Sequence, residues 1–472
     1  MAEKIRLSII ADAGAPTGFA TVTHNLAGYL QDSGKYDISI LGINYHGKPS
    51  EHSRRFNIYP AHLGGDFLGI GYTKEFIQET NPDVILAFQD FWNLPYYYGQ
   101  IGPRAGLIAY YPVDSPNIKG SYILALAGFH SLVTYTKFGV EETIRGANEA
   151  WEHIQQRAAV QSVNVLETIT TRIASGTAQG KKLPEMDVRV PVKRLMGLTK
   201  GERVYDIPHG INPSLYFPID GATLRKDFGF DQDWFIVGNV NRNQSRKRQD
   251  LMIKAFAKFA QDKPNARLVL HCVRNDAQGW DLPQLATYYG VGTKVLFTHM
   301  LFPEGTAALL QLNQLYNTFD VQVNSGGGEG WGLTSIEGAA CRVPQIVPNW
   351  SATKEIWEGA GMLTDIIEVR HEPSQVNTAQ GVINVAHLTQ QLNWMYEDKN
   401  KREDVAEKCY QVTRRPEYEW ETIGEQFDEL LSSVVGKETK PTPMALNPKG
   451  VVEVKKIMQK RKQDREKGIQ ND

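Results

Sequence analysis

The chain has 472 residues, more than one hydrophobic core usually organises, and its 41% hydrophobic and 22% charged residues are typical of a globular protein. Its 51 Lys and Arg against 53 Asp and Glu give a net charge of −2, which excludes a general electrostatic attraction to nucleic acid or anionic membranes. Three cysteines far apart in sequence exclude a disulfide framework or a zinc motif, and no apolar stretch approaches the ~20 residues that span a bilayer. We therefore expect a cytoplasmic protein of two domains without a transmembrane segment.

Short apolar segments alternate with helical patterns through the first part of the chain. The first such segment, 5–11, precedes a turn-rich loop and a helical pattern over 20–30. Further apolar segments follow at 38–43, 83–88, 106–111 and 131–135. The alternation predicts a parallel sheet with helical crossovers, a Rossmann-like domain over residues 1–206. A short helix is predicted at 141–146. We interpret residues 147–200 as an insertion, because the alternation of strands and helices is complete without them.

A second series of the same kind begins at 235–240. Its further apolar segments lie at 267–273, 294–298, 319–323 and 344–347. The predicted fold class is therefore α/β, with two tandem doubly wound Rossmann-like domains, the second over residues 207–415. A helical pattern over 416–435 follows. Residues 436–472 form a linker and tail, the only basic segment, with 10 Lys and Arg against 5 Asp and Glu.

A glycine-rich segment follows the predicted strand at 319–323. Its three glycines, Gly326–Gly328, permit backbone conformations that side chains would block, and a helix is predicted to begin near Gly332. The free amides and positive dipole end of that helix could bind an anion such as a diphosphate. Glu329 in the loop and Glu337 in the second helical turn could then hydrogen-bond different hydroxyls of one extended ligand. A glycine-rich turn with solvent-facing acids is the alternative interpretation.

Four cations follow the strand predicted at 235–240: Arg242, Arg246, Lys247 and Arg248. They precede a helical pattern over 247–260, and cations at a helix amino terminus oppose the helix dipole. An anion would compensate them, and Arg and Lys are the residues that bind phosphate oxygens. We therefore expect at least one of them to bind phosphate.

Two other segments each allow two interpretations. The loop Gly14–Phe19 precedes a helix but lacks both the Gly-x-Gly-x-x-Gly and the P-loop pattern, so it is either a tight turn or a ligand site. Asp231 and Asp233 form an Asp-x-Asp pattern that could hold a divalent metal, although their position before a strand favours a surface turn.

Four segments together resemble a known family. EGWGLTSIE (329–337) resembles the Glu, seven residues, Glu motif of family 4 glycosyltransferases and related retaining enzymes of the two-Rossmann GT-B fold. NRNQSRKRQDLMIKAF (241–256) resembles their diphosphate-binding segment, and IPHGINPSLYFP (207–218) resembles their interdomain motif. GAPTGFATVTHNLAGYL (14–30) is similar to their amino-terminal loop and helix. The similarity covers about residues 5–145 and 203–435.

The resemblance implies a retaining, metal-independent transfer of a sugar from a UDP- or GDP-sugar to an acceptor hydroxyl, without a cofactor. It also implies that residues 1–206 bind the acceptor, that residues 207–415 bind the nucleotide sugar, and that the donor lies in a cleft between the two domains. The terminal helix at 416–435 would return to the first domain.

Residue by residue, the resemblance implies that Arg242 and Lys247 hold the donor diphosphate, that Glu329 contacts the transferred sugar, and that Glu337 binds the ribose. Further donor contacts are expected at Gly18, Gly330, Trp331, Gly332, Leu333 and Thr334. The sequence departs from the family at YYPVDSPN (110–117), where Asp114 is the candidate catalytic residue and a turn before Pro116 is the alternative. It also departs at Trp331, where the family usually carries Phe, and at Asn243, where it carries Leu.

Two other functions remain open. The same transfer could be directed to a hydroxylated base in DNA, with the insertion and the basic tail holding the nucleic acid. Alternatively, the chain could be a non-catalytic GT-B scaffold, although the presence of both motif acids and both motif cations favours an enzyme.

Overall fold

The computed structural model describes residues 3–14, 17–49, 51–62, 64–102, 106–160, 177–178, 181–182, 189–298, 306–372 and 376–435. The chain divides into two compact units. The first comprises Met1–Pro112, Asn117–Ile207 and Trp420–Asp472, and the second comprises Val113–Pro116 and Pro208–Glu419. The predicted tail at 436–472 and the centre of the predicted insertion lie outside the described residues.

The first unit is built on a seven-stranded sheet. Its strands are β1 (Ile5–Asp12), β2 (Tyr36–Ile43), β3 (Asn57–Pro60), β4 (Val84–Phe88), β5 (Leu107–Tyr110), β6 (Ser131–Thr134) and β9 (Val204–Asp206), and the two-residue strands β7 (Thr177–Ala178) and β8 (Lys181–Lys182) form a separate ribbon. The order in the sheet is β3-β2-β1-β4-β5-β6-β9, and every neighbouring pair is parallel. The central strand β4 is buried along its whole length, as expected for a sheet that helices cover on both faces.

The second unit is built on a six-stranded parallel sheet. Its strands are β10 (Phe235–Val240), β11 (Ala266–His271), β12 (Val295–Phe297), β13 (Val321–Val323), β14 (Gln345–Pro348) and β15 (Met362–Thr364). Their order is β12-β11-β10-β13-β14-β15, and a separate antiparallel hairpin joins β16 (Ile366–His371) to β17 (Ala379–Ile383). The predicted α/β class with two doubly wound sheets is therefore confirmed.

Helices follow most strands in both units. They are α1 (Gly18–Asp32), α2 (Glu51–Arg55), α3 (Thr73–Thr80), α4 (Leu94–Ile101), α5 (Gly120–Leu126), α6 (Lys137–Val160), α7 (Arg189–Leu198), α8 (Gly221–Asp227), α9 (Gln249–Phe259), α10 (Leu282–Tyr288), α11 (Thr306–Tyr316), α12 (Leu333–Ala340), α13 (Ser351–Trp357), α14 (Val385–Glu397), α15 (Lys399–Thr413) and α16 (Trp420–Val434). Short 3-10 turns lie at Ile70–Tyr72, Ser245–Lys247, Gly292–Lys294 and Pro416–Tyr418. Within the described residues, no helix is long and apolar enough to cross a membrane.

Helix α6 departs from the prediction, because it continues to Val160 and so crosses the predicted start of the insertion at residue 147. The sequence suggested that this helix ends at Gly146, but this glycine permits a close helix crossing. A Cβ at Gly146 would lie 2.7 Å from Cγ1 of Ile123, which belongs to α5. A Cβ at Gly120, the first residue of α5, would likewise lie 2.7 Å from the backbone nitrogen of Ala150.

Helix α16 packs within the first unit. Its apolar face buries Ile423, Phe427 and Leu431, and its Gly424 lies so close to Tyr29 that a Cβ there would be 2.0 Å from the ring. The Tyr36 hydroxyl donates a 2.6 Å hydrogen bond to the Asp428 carboxylate. The helix is therefore held to α1 and β2 by close packing and by a polar contact.

Candidate functional site

The second sheet brings two loops to one edge. Strand β10 pairs in parallel with β13, so the segments that follow them, 241–248 and 324–332, leave the sheet side by side. This carboxyl edge is where ligands bind in open α/β sheets. Two of the predicted cations, Arg246 and Lys247, therefore meet the predicted acid Glu329, because two strands that are distant in sequence are neighbours in the sheet.

Lys247 and Glu329 form a buried ion pair at this edge. The Lys247 ammonium lies 2.5 Å from Glu329 Oε1, and the side chains are only 13% and 8% exposed. The Asn324 amide donates to the same carboxylate oxygen at 3.3 Å. Because each charge has lost much of its water, the pair depends on its mutual contact.

Arg246 adds a second cation to this carboxylate. Its NH1 group donates to the Gly328 carbonyl oxygen at 2.6 Å and lies 3.4 Å from Glu329 Oε2. The same nitrogen lies 3.4 Å from Asp114 Oδ2. The segment Val113–Pro116 belongs to the second unit, so Asp114, Arg246, Lys247 and Glu329 form one cluster of two acids and two cations.

The cluster keeps Glu329 ionised. Burial alone would raise the pKa of Glu329, but the charges of Lys247 and Arg246 and the hydrogen bonds from Lys247 and Asn324 lower it to about 2. Burial lowers the pKa of Lys247, which Glu329 partly offsets. Glu329 is therefore a fixed negative charge at physiological pH.

Helix α12 begins with unpaired backbone donors. Gly332 caps it with φ of +91°, a left-handed conformation that favours glycine. Within the described part of the chain, the amides of Gly330, Trp331, Gly332, Leu333 and Thr334 donate to no protein group. Five successive free amides beside a helix start form an anion-binding arrangement.

Arg242 differs from Lys247 in its surroundings, because its side chain is exposed and makes no hydrogen bond or ion pair within the described residues. Its backbone is nevertheless fixed by the buried neighbour Asn243. The Asn243 amide group donates to the carbonyl oxygens of Val273, Arg274 and Trp280 at 3.2, 3.3 and 2.7 Å. Asn243 thus ties the basic loop, residues 241–248, to the segment after β11.

Glu337 faces protein hydroxyls. The Tyr316 hydroxyl donates to Glu337 Oε2 at 2.7 Å, and Tyr216 also hydrogen-bonds to this carboxyl. Burial raises the pKa of Glu337 to about 7 in spite of these two donors. Glu337, which is predicted to bind the ribose, therefore has two tyrosine partners within the protein. The sequence motif did not indicate these partners.

The other predicted residues lie at three places. Trp331 is buried against Tyr418 and His209, with ring centroids 4.9 and 5.8 Å away, and its indole N–H has no hydrogen-bond partner within the described residues. Gly18 is in the first unit, at the start of α1, where the Thr17 hydroxyl caps the helix. Asp231 and Asp233 lie in an exposed turn closed by the Asp233 amide, which donates to Asp231 Oδ1 at 3.1 Å.

The hairpin β16–β17 is a part of the site that the sequence did not predict. The Gly381 amide of β17 donates to the Gly327 carbonyl oxygen at 2.8 Å. At the end of β16, Glu372 Oε1 accepts a 2.6 Å hydrogen bond from the Ser245 hydroxyl. The hairpin thus contacts both the glycine loop, residues 324–332, and the basic loop, residues 241–248. Of its two strands, only β17 carries a continuous apolar segment, GVI at 381–383.

Comparison with known proteins agrees with this geometry. Residues 220–412 match the family model described as "Glycosyl transferases group 1". The match covers the loops that follow β10 and β13, and it confirms the resemblance of this part of the chain to glycosyltransferases.

A curated relative, a D-inositol 3-phosphate glycosyltransferase of Acidothermus cellulolyticus, is 24% identical over an alignment of 255 residues that covers 48% of this chain and 55% of the relative. The chain thus spans about half the length of this relative, and about a third of the length of others.

Solved structures extend the similarity to both units. A sucrose-phosphate synthase from Thermosynechococcus elongatus is 16% identical, with a TM-score of 0.62 over 91% of this chain and 99% of that chain. A glycosyltransferase from Rickettsia africae is 13% identical, with a TM-score of 0.59 over 92% of this chain and 99% of that chain. At these identities the likeness concerns the fold alone, and the predicted two-Rossmann GT-B fold is confirmed.

Proposed function

We propose that the protein is a retaining, metal-independent glycosyltransferase that moves a sugar from a nucleotide-diphosphate donor to an acceptor hydroxyl. The observation that carries the proposal is the run of unpaired amides from Gly330 to Thr334 next to the Lys247–Glu329 pair. Gly330 and Trp331 are buried and the next three residues are partly buried. Unpaired donors that have lost water are costly, and an anionic ligand at this edge would pair them. The match of residues 220–412 to a glycosyltransferase family supports the proposal that this anion is the diphosphate of a sugar donor.

Cleavage of a bond between sugar and phosphate leaves negative charge on the nucleotide diphosphate. Fixed positive charges and amide dipoles directed at this leaving group lower the barrier. Arg242 and Lys247 would supply the charges, and the first amides of α12 would supply the dipoles. This arrangement provides the neutralisation that a divalent cation provides in other phosphate chemistry, which supports metal independence.

Glu329 is proposed to contact the transferred sugar, and Glu337 the ribose. Lys247 contacts Glu329 at 2.5 Å. Its ammonium can donate three hydrogen bonds, so it can reach a phosphate oxygen and keep one bond to Glu329. Because Glu329 stays ionised, it can accept hydrogen bonds from sugar hydroxyls and stabilise positive charge that develops on the sugar ring.

We propose that the first unit binds the acceptor, and that Asp114 lies near the acceptor hydroxyl. We infer retention of the anomeric configuration from the spacing of Glu329 and Glu337, which resembles that of retaining enzymes. In retaining enzymes of this fold, the departing phosphate assists deprotonation of the incoming hydroxyl.

A donor panel tests the proposal. Thermal unfolding is measured with UDP, GDP and a series of UDP- and GDP-sugars, because a ligand that binds only the folded state raises the melting temperature. The stabilising donor is then incubated with sugars, sugar phosphates and hydroxymethylated DNA, with and without EDTA. We expect transfer that EDTA leaves unchanged, and an anomeric configuration that proton NMR shows to be retained.

Three results would each overturn a different part of the proposed function. No stabilisation by any nucleotide would remove the donor assignment, an inverted linkage would remove the mechanism, and activity strictly dependent on Mg²⁺ or Mn²⁺ would remove metal independence. Transfer to hydroxymethylated DNA alone would identify a nucleic acid as the acceptor.

A further inference from the structure

Arg246 occupies a position in the cluster that the family motif does not assign. The resemblance assigns donor roles to Arg242 and Lys247, which lie on either side of it in sequence. Its guanidinium contacts the Gly328 carbonyl oxygen, Glu329 and Asp114 at 2.6, 3.4 and 3.4 Å. Its own carbonyl oxygen accepts a 2.8 Å hydrogen bond from the Gly327 amide. The residue therefore holds the glycine loop through both its backbone and its side chain.

The charges of the cluster depend on this residue. Among the described residues, Arg246 is the one cation that forms ion pairs with both Asp114 and Glu329, since Lys247 pairs with Glu329 alone. The Asp114 side chain is 21% exposed and the Glu329 side chain 8%, so water screens their repulsion only partly. Without Arg246, Glu329 would keep Lys247 as its ion-pair partner, and Asp114 would lose the one ion pair that the described residues give it.

The backbone around the cluster leaves little room for adjustment. A Cβ at Gly328 would lie 2.3 Å from the Asp114 carbonyl oxygen, so the segment 113–116 packs directly on the glycine loop. Gly327 is tied in turn to Gly381 of the hairpin. Small changes in the Arg246 side chain would therefore be transmitted to the positions of both acids.

We propose that Arg246 is a positioning residue that couples Asp114 to Glu329 and fixes both acids relative to the reacting sugar. The inference rests on the proposed function, in which Glu329 contacts the sugar and Asp114 lies near the acceptor. It assigns to Arg246 a role in the transfer step, separate from diphosphate binding by Arg242 and Lys247.

The test compares Arg246→Gln and Arg246→Lys with Lys254→Gln, which removes an exposed cation from α9. UDP and GDP affinities are measured by calorimetry, and kcat for transfer and for donor hydrolysis is measured with the donor that the panel identifies. We expect Arg246→Gln to bind the nucleotide within about twofold of the wild type and to lose at least tenfold in kcat for transfer. Arg246→Lys should recover part of this loss, because it restores one charge without the planar donor group. Lys254→Gln should behave as the wild type.

Crystal structures of the two Arg246 variants provide a measurement that does not depend on turnover. We expect the separation of the Asp114 and Glu329 carboxylates to increase in Arg246→Gln and to be restored in Arg246→Lys. Unchanged carboxylate positions, unchanged kcat, or a loss of nucleotide affinity that accounts for the whole fall in activity would overturn the assignment. If the wild type transfers no sugar, the proposed function fails, whereas the coupling of the two acids is still decided by the structures.

Discussion

Lys247 and Arg242 both lie in the loop that follows β10, yet their surroundings differ. Lys247 is 13% exposed and pairs with a buried carboxylate, whereas the Arg242 side chain is exposed. A buried ion pair that loses one partner leaves an uncompensated charge in a region of low polarity. The two cations should therefore contribute alike to donor binding but differently to folding.

We predict that Arg242→Gln and Lys247→Gln each weaken nucleotide binding at least tenfold, because each removes a charge from the proposed diphosphate site. Only Lys247→Gln should destabilise the protein, by roughly 3 kcal/mol, since it leaves Glu329 buried with Arg246 as its one cation. Calorimetric titration with UDP or GDP and urea denaturation measure the two effects. Equal stability of the two variants would contradict the importance of the buried pair.

Glu337 should make stability depend on pH near neutrality. Its pKa is about 7 in the folded protein and starts from an ordinary value of 4.5. The folded state therefore keeps a proton that the unfolded state releases above about pH 4.5, so this group's contribution to stability falls as the pH rises towards 7. A difference of this size corresponds to roughly 3 kcal/mol.

We predict that Glu337→Gln flattens the fall in unfolding free energy between about pH 5 and pH 7, because Gln keeps an acceptor for Tyr316 and has no proton to lose. Urea denaturation at intervals of pH checks this. The exposed Glu368→Gln is the control and should keep the wild-type slope. A slope in Glu337→Gln equal to that of the wild type would show that another group titrates in this range.

At the scale of elements, the glycine loop packs closely against its neighbours and is hydrogen-bonded to the β16–β17 hairpin. Gly326, Gly327 and Gly328 each face a neighbour that a Cβ would crowd, at 3.0, 2.8 and 2.3 Å respectively. At Gly328 that neighbour is a backbone oxygen, which cannot rotate away. The three glycines are thus needed for close approach, and none of them has a positive φ.

We predict that Gly328→Ala reduces transfer at least tenfold, because the loop that carries Glu329 must move away from Asp114. Gly290→Ala is the matched control. Its φ is +73° with nothing within 4 Å of the added Cβ, so it strains the backbone without contacting the site. The control should lose stability and keep kcat. Comparable kcat values for the two variants would mean that the glycine loop tolerates displacement.

The sequence predicted most strands of the two sheets within one or two residues, because continuous apolar segments such as FIVGNV become fully buried strands. It did not predict β3, β15 or the hairpin. Each is short, and β16 is almost entirely exposed, so periodicity carries little signal there. The predicted end of α6 was wrong, because a glycine that permits close helix packing resembles, in sequence, a glycine that ends a helix.

The candidate site was predicted as a list of residues and not as an arrangement. Motif spacing placed Glu329 in a loop and Glu337 on a helix, as the structure has them. It could not indicate that Arg246 contacts Asp114, because they lie 132 positions apart in the chain. Nor could it indicate that Tyr316 and Tyr216 contact Glu337, since such contacts are set by packing between elements.

At the scale of the whole molecule, charge is unevenly distributed along the chain. Residues 436–472 carry a net charge of +5, while the remainder carries −7. The tail lies outside the described residues, and the last described helix, α16, ends at Val434. The sequence allows two interpretations of the tail, a solvated basic segment and a tether for a polyanion such as nucleic acid.

We predict that a protein truncated after Val435 keeps hydrolysis of donor in the absence of acceptor, because the proposed donor contacts all precede α16. If the tail binds a polyanion, truncation should also weaken binding to double-stranded DNA and reduce its salt dependence, since each neutralised phosphate contributes about one unit to the slope of log affinity against log salt. Fluorescence anisotropy at several salt concentrations measures this slope for the full and the truncated chain. A variant with four tail lysines changed to Gln controls for length. Identical slopes would reject the tether, and lost hydrolysis would show that the tail supports the catalytic units.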